Sequence, residues 1–422
     1  MSSDAATHRL ADAVARRSYG KLVAFLAARS RDVAAAEDAL AEAFAAALTD
    51  WPNNGCPTNP EAWLLTVARR KLIDAARRRQ SAANAAIELR VLADGNDAPS
   101  IDADIPDQLP DHLPDNRLAL MFACAHPAID AGIRAPLILQ CVLGLDAASI
   151  ASAFLMSPAA MGQRLVRAKH KIRDAAIALR VPEREELPDR LGTVLDAIYA
   201  AFAEGWSAPD GTDMARHDLA EEALFLGRLV AELLPDEPEA LGLLALMLHA
   251  QARLAARRNA NGDYVPLAEQ DAALWDVQMI EEAETLLLRA SALGAIGRYQ
   301  LEGALQSAHV ERRRSGCANW PAVVRLYDAL LALSGSPVVA INRALALAHV
   351  DGCVAALVAI DELADEPRLQ TYQPYWAARA QLLANTGAHD AAHEAYDVAI
   401  GLERDPAIRR FLRERQTSLR TS

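Results

Sequence analysis

The residues with the clearest chemical pattern are basic and amide side chains within residues 157–173, which suit contacts with DNA. Ser157 and Pro158 are typical N-cap and first-turn residues of a helix. Met161, Leu165, Ala168 and Ile172 recur at helical spacing and should face the core. The remaining faces could meet base edges and phosphates in a major groove. They carry Ser157, Ala159, Ala160, Gln163, Arg164, Arg167, Lys169, Lys171 and Arg173.

Two preceding elements would position this helix. Gly144 should end one helix, and Asp146–Phe154 should form a short second one before Ser157. This order predicts a helix-turn-helix with a basic third element. The alternative is an ordinary helix pair with a solvated basic face.

A second basic helix is predicted over Glu61–Arg79, with Leu64, Leu65, Ala68, Leu72 and Ala75 inward. Its outward residues form two clusters, Arg69, Arg70 and Lys71, then Arg77, Arg78 and Arg79. The loop Asp50–Pro60 precedes it and could hold an unstacked base with Asn53, Asn54, Thr58 or Asn59. The sequence therefore favours single-strand contact here, against the alternative of a solvated charged face.

The helix predicted over Ala34–Leu48 has Leu40, Ala43, Phe44 and Ala47 on one stripe. Its acidic residues Glu37, Asp38 and Glu42 fall on the exposed side.

Composition predicts an all-α protein, because the 422 residues are poor in aromatics and lack β-branched runs. The net charge of −13 is unevenly distributed: residues 1–80 carry +3, 81–116 carry −7, 117–180 carry +5 and 181–422 carry −14. We expect a first helical domain over 8–80, an acidic flexible linker over 81–116, a helix-turn-helix domain over 117–180 and a third domain over 187–422.

We expect a reduced, soluble, cytoplasmic protein that is not an enzyme. The five cysteines show no disulfide or metal spacing, and no apolar signal core or membrane-spanning run is present. Cys124 and His126 are too few for a metal site, so no metal or cofactor is predicted. No phosphate loop or nucleophile motif occurs.

The C-terminal third domain shows two self-similar windows. The first contains Ala340, Ala344, Leu347, Ala356, Ile360 and Leu363, and the second contains Trp376, Ala380, Leu383, Ala392, Tyr396 and Ala399. Both fit a tetratricopeptide-like repeat, in which small residues let paired helices approach closely. A generic helical bundle is the alternative, and either would offer a binding surface.

The two basic domains predicted over 8–80 and 117–180, in this order along the chain, resemble the sigma factors of bacterial RNA polymerase. The resemblance is to the extracytoplasmic-function (ECF) group of the sigma-70 family. Three segments carry the resemblance. Ala36–Phe44 resembles the polymerase-binding motif, Pro60–Arg78 the helix for the −10 element, and Ile150–Lys169 the helix-turn-helix for the −35 element. The sequence through 187–422 resembles a subgroup with a tetratricopeptide-like extension. Ala41, Arg70 and Gly162 depart from the family pattern.

The resemblance implies a sigma region 2 domain, a linker, a region 4 domain and the extension. Asp32, Glu37, Asp38, Leu40, Glu42 and Phe44 would bind core RNA polymerase through its β and β′ subunits. Asn53, Asn54, Thr58, Asn59, Arg69, Arg70, Lys71, Arg77 and Arg78 would bind the −10 element of promoter DNA. Ser157, Ala159, Ala160, Gln163, Arg164, Arg167 and Lys171 would bind the −35 element.

Other functions stay open at this point. A stand-alone helix-turn-helix regulator with a repeat sensor would bind duplex operators without polymerase, and a repeat scaffold would bind proteins only. The C-terminal repeats could bind a protein partner or dock within the chain. A membrane partner is not expected.

Overall fold

The computed structural model describes residues 18–91, 115–154, 156–183, 185–206, 214–315 and 319–419. Its elements are almost entirely α-helices, and no β-strand occurs in these ranges, which confirms the all-α prediction. The chain divides into two compact units. The first comprises Met1–Gly205 and Met214–Leu226, and the second comprises Trp206–Asp213 and Gly227–Ser422.

Among the described residues, the first helix of this unit is α1 over 18–30, and the long pair α2 and α3 follows it. Helices α4 to α9 follow, and α9 extends past Leu226, where the first unit ends. The bounds are α2 Val33–Asn54, α3 Pro60–Val91, α4 Arg117–Cys124, α5 Ala131–Leu143, α6 Ala147–Ala153, α7 Pro158–Asp174, α8 Pro188–Trp206 and α9 Met214–Leu233.

Helices α2 and α3 pack along their apolar stripes. Leu40, Ala43 and Ala47 of α2 are buried, and Trp51 is buried at the end of the same stripe. On α3, Leu64, Leu65, Ala68 and Leu72 are buried as predicted, and Ala75 is half-buried. The 5.5 Å edge-to-face contact between the Trp51 and Trp63 rings joins the two helices beside the connecting loop.

Two boundaries differ from the sequence prediction. Helix α2 continues through Pro52 to Asn54, so the loop is confined to residues 55–59 instead of Asp50–Pro60. Helix α3 continues to Val91, so residues 81–91 of the predicted flexible linker are helical. The alanine-rich run after Arg79 sustains the helix, because alanine is the best helix former. Residues 92–114 of that linker lie outside the described residues.

Helices α5–α7 occur in the predicted order, and their membership in the helix-turn-helix class stays a prediction. Gly144 ends α5 in the left-handed conformation at φ 68°, as a C-terminal glycine should. The Ser157 side chain accepts a hydrogen bond from the Ala160 amide and so caps α7. Met161, Leu165, Ala168 and Ile172 are all buried, which confirms the predicted inward stripe.

The cap leads to one prediction for α7. Replacing Ser157 with alanine should destabilise the first turn by about 1 kcal/mol, because the Ala160 amide loses its side-chain acceptor. Amide hydrogen exchange at Ala160 would measure the change. Ser157→Asn, which keeps an acceptor, should exchange at nearly the wild-type rate, and equal rates for both variants would contradict the role of the cap.

The second unit is built from packed helices, and the long connection between α10 and α11, residues 252–276, contains three short 3-10 turns. Their bounds are α10 Pro238–Gln251, α11 Val277–Ala292, α12 Arg298–Ser315, α13 Trp320–Ser334, α14 Pro337–Leu347, α15 Cys353–Asp361, α16 Gln373–Asn385, α17 His389–Leu402 and α18 Pro406–Ser418. Helix α10 is buried on all sides over residues 240–250 and packs on both α11 and α12. The Glu239 carboxylate accepts hydrogen bonds of 3.0 Å from the Tyr299 and Gln300 amides at the start of α12.

The two predicted repeat windows fall on helix pairs. Ala344, Ala356 and Ile360 are buried between α14 and α15, with Ala340, Leu347 and Leu363 half-buried. Ala380, Leu383, Ala392, Tyr396 and Ala399 form one core cluster in α16 and α17, with Trp376 packed against it. The small residues therefore lie where paired helices approach, as predicted. Membership in the tetratricopeptide-like class stays a prediction.

Candidate nucleic-acid interface

The acidic residues of α2 divide between exposed and buried positions. Asp38 and Glu42 are exposed, Leu40 is fully buried and Phe44 is half-buried. Asp32 is buried because its carboxylate caps α2 and accepts a 3.0 Å hydrogen bond from the Ala35 amide. The exposed pair keeps the predicted acidic surface, although the surface is narrower than the sequence indicated.

Glu37 departs from the prediction, because its carboxylate pairs with the Lys169 ammonium of α7. The two side chains are only 12% and 10% exposed, so this is a buried ion pair. Burial raises the pKa of the Glu37 carboxyl, and the Lys169 charge opposes that shift. Lys169 was expected to meet phosphates and Glu37 to face solvent, and both expectations are wrong in this conformation.

Arg173 of α7 also lies near α2, although its side chain stays exposed. Its guanidinium lies 3.9 Å from the Asp32 carboxylate. Between α2, α3 and α7 lies an open groove of about 430 Å³, bordered by Asp38, Glu42, Lys71 and His170 among others. The groove is thus lined with charges of both signs.

The predicted base-binding loop is shorter than expected, and its asparagines have structural contacts. Asn53 and Asn54 lie in the last turn of α2, so their assignment to a loop is corrected. The Asn53 amide donates to the Thr49 carbonyl at 2.8 Å, and the Asn54 amide donates to the Asp50 carboxylate at 2.7 Å. Asn59 accepts from the Ala62 amide at the start of α3. All three side chains are exposed and accessible, as is Thr58.

The basic face of α3 follows the sequence prediction in part, and the side chain of Arg79 lies outside the described residues. Arg70, Arg77 and Arg78 are exposed, while Arg69 and Lys71 are half-buried. Lys71 forms a 2.9 Å ion pair with Glu42, which lowers the pKa of that carboxyl. One cation expected to contact DNA therefore touches one acid expected to contact polymerase.

Helix α7 presents one exposed face. Ala159, Gln163, Arg167 and Lys171 are exposed, as is the capping Ser157, and Ala160 is half-buried. Arg164 points to the N-terminus of α5, where its guanidinium donates to the Asp130 carboxylate at 2.8 Å. Arg164 thus has an acidic partner that the sequence did not indicate.

The described residues contain no cluster of three or more His, Cys, Asp or Glu side chains that could hold a metal ion. Cys124 and Cys141 are free, buried thiols inside the α4–α5 core. Within the described helices, none is both long and apolar enough to cross a membrane. The site is a set of charged helical faces.

Two segments of the chain match known protein families. Residues 14–82 match the sigma-70 region 2 family, and residues 190–291 match a family of unknown function (DUF6596). An uncharacterized protein of Rhizobium meliloti (strain 1021) is 39% identical over 383 residues, covering 91% of this chain and 89% of the relative.

The chain belongs to the family of that rhizobial protein and carries a sigma-70 region 2 in its first 82 residues. No solved structure matches the chain. Region 2 here contains α1, α2 and most of α3, and thus both the acidic face and the basic helix. A sigma-70 region 2 implies binding to core RNA polymerase and promoter DNA.

Proposed function

We propose that the protein is an ECF-group sigma factor. It binds the β and β′ subunits of core RNA polymerase through the exposed acids of α2, directs promoter recognition and melting, and so starts transcription. The match of residues 14–82 to sigma-70 region 2 carries this proposal. No covalent chemistry is required, since strand opening can be driven by binding free energy.

The three groups of surface residues then have separate roles. Asp38 and Glu42 contact polymerase, the cations of α3 hold the −10 strand, and the exposed face of α7 binds the −35 duplex. The position of α7 directly after the short helix α6, with Gln163, Arg167 and Lys171 exposed, supports the last role. A stand-alone regulator would not need the acidic face of α2 or a region 2.

The C-terminal helices are proposed to modulate activity by binding a protein partner or by docking within the chain. The charge of −14 over residues 181–422, beside two basic modules, supports electrostatic docking. Comparing promoter output of the full chain and of residues 1–180 would test it. Identical output and affinity would reject a regulatory role.

The main test combines a pull-down with run-off transcription. Purified chain mixed with core polymerase should co-elute with it and direct transcripts from a subset of genomic fragments. Failure to bind polymerase and to open any template would reject the sigma-factor proposal. Binding to duplex DNA alone would favour the stand-alone regulator.

A further prediction concerns α7 and duplex DNA. Lys171→Ala should weaken −35 duplex binding equally across sequences. It should also reduce the slope of the logarithm of the binding constant against the logarithm of the salt concentration by about one, as removal of a phosphate contact does. If Arg167 contacts a base, Arg167→Ala should reduce the free energy of duplex binding by about 1–3 kcal/mol and relax the sequence preference at one base pair. Fluorescence anisotropy at several salt concentrations would measure both. Arg413→Ala on α18, also exposed, is the control and should change neither quantity.

A further inference from the structure

Region 2 contacts helices α5 and α7 at several defined points. Besides the buried Glu37–Lys169 pair, helix α1 lies directly against the end of α5. A Cβ added at Gly20 would overlap the Val142 carbonyl oxygen, so only glycine allows this approach. Tyr19 lies beside Gly144 in the same interface. We call the interface formed by α1 and α2 with α5 and α7 the latch.

The latch uses an acid of the proposed polymerase-binding surface. Glu37 lies one residue from the exposed Asp38, and the Asp38 and Glu42 side chains border the groove next to His170 and Arg173. A second macromolecule could not contact Glu37 while α7 covers it, because the carboxylate is nearly excluded from solvent. The face of α7 that carries Gln163, Arg167 and Lys171 is left exposed.

Electrostatics make the latch reversible in principle. A buried ion pair gains little over two hydrated charges, because the desolvation cost offsets most of the Coulomb attraction. Burial raises the pKa of Glu37 despite its lysine partner, in agreement with incomplete compensation. A partner that offers Glu37 a cation elsewhere can therefore replace Lys169 at small net cost.

We infer that the latch is an autoinhibitory contact, in which α7 and core RNA polymerase compete for the Glu37 face of α2. The inference rests on the proposed function, since it requires that α2 bind polymerase. A latched chain binds polymerase with an apparent affinity reduced by the fraction of molecules that are open. It still binds a −35 duplex, because the DNA face of α7 is not covered.

Two variants open the latch by different means. Gly20→Ala places a methyl group against the Val142 carbonyl, and alanine is the better helix former within α1. Lys169→Met removes the cation and leaves Glu37 without a partner in the closed form. Gly401→Ala on α17 is the control, because a Cβ there meets no atom within 4 Å.

The experiment measures the affinity of each full-length variant for core polymerase and, for Gly20→Ala, for a −35 duplex. Both latch variants should bind polymerase at least about five-fold more tightly than the wild type and the Gly401→Ala control, a typical size for coupling between sites. Gly20→Ala should bind the duplex with unchanged affinity. Circular dichroism would verify that each variant is folded, and hydrogen exchange of α2 should be faster in both.

The outcomes separate the latch from the proposed function. Equal polymerase affinities for all four proteins, with equal exchange of α2, would overturn the latch and leave the sigma-factor proposal standing. No polymerase binding by any of them would overturn both. Tighter binding by Lys169→Met alone would contradict the inference, because the contact at Gly20 would then have no part in it.

Discussion

The double variant Asp38→Lys and Glu42→Lys should lose core polymerase binding by at least 100-fold, about 2.7 kcal/mol. Both carboxylates are exposed on successive turns of α2, and a partner surface that complements them should be basic. Reversing two charges replaces attraction with repulsion, which costs several kcal/mol at a charged interface. A filter-binding or biolayer assay with labelled polymerase would measure the loss.

The variant should remain folded. Lysine is a good helix former, and the like charge that Glu42→Lys places near Lys71 costs little, because both positions are open to solvent screening. These two positions suit the test better than Glu37, whose reversal would place a cation opposite Lys169 in a buried site. The control is Asp390→Lys with Glu394→Lys, which has the same spacing and charge change on the exposed side of α17.

Unchanged polymerase affinity in the Asp38 and Glu42 variant would remove α2 from the polymerase interface. If the same variant also kept its affinity for duplex DNA, the stand-alone regulator would become the better interpretation. Loss of binding in the α17 control as well would indicate a general charge effect.

The second large effect is expected at Trp51. Trp51→Ala should destabilise region 2 by about 3–5 kcal/mol, because a large buried aromatic side chain is removed and a cavity remains. Trp51 is 1% exposed and meets the Trp63 ring, which fixes the loop between α2 and α3. Hydrogen exchange of the most protected amides of α2 and α3 would report the change in the free energy of opening.

Two variants calibrate this prediction. The Trp51 indole nitrogen has no hydrogen-bond partner among the described residues, so Trp51→Phe loses only packing and should be milder than alanine. Leu48→Ala on the same helix, with the leucine 41% exposed, should stay within about 0.5 kcal/mol of wild type. Equal effects for Trp51→Ala and Leu48→Ala would contradict the proposed packing role.

The sequence predicted those features that depend on neighbours within one helix. The inward stripes of α3 and α7, the Ser157 cap and the Gly144 end depend on spacing and local hydrogen bonds, which periodicity reveals. The length of α2 was underestimated, because Pro52 and two asparagines suggested a turn. Trp51 outweighs them, since its burial against Trp63 holds the last turn in the helix.

Partners distant in sequence could not be predicted. Lys169 follows Ala168 at the edge of the buried stripe, and its pairing with Glu37 spans 132 positions of the chain. Glycine at position 20 of an alanine-rich helix was the available signal for a close approach between helices. It does not identify the other helix. The charge pattern of the sequence therefore indicated which helices carry charged faces, but it did not indicate which of these faces contact one another.

The Asp130 carboxylate has a consequence for how promoters would be distinguished. In the free protein Arg164 is already paired with the Asp130 carboxylate. Contact with a base or phosphate would break this ion pair, so the gain in binding free energy is only the difference between the two interactions. A correct base with two acceptors could outcompete the aspartate, whereas a poorly matched base could not. Asp130 would thus act as an internal competitor that makes α7 bind less tightly to all DNA and more selectively to its target.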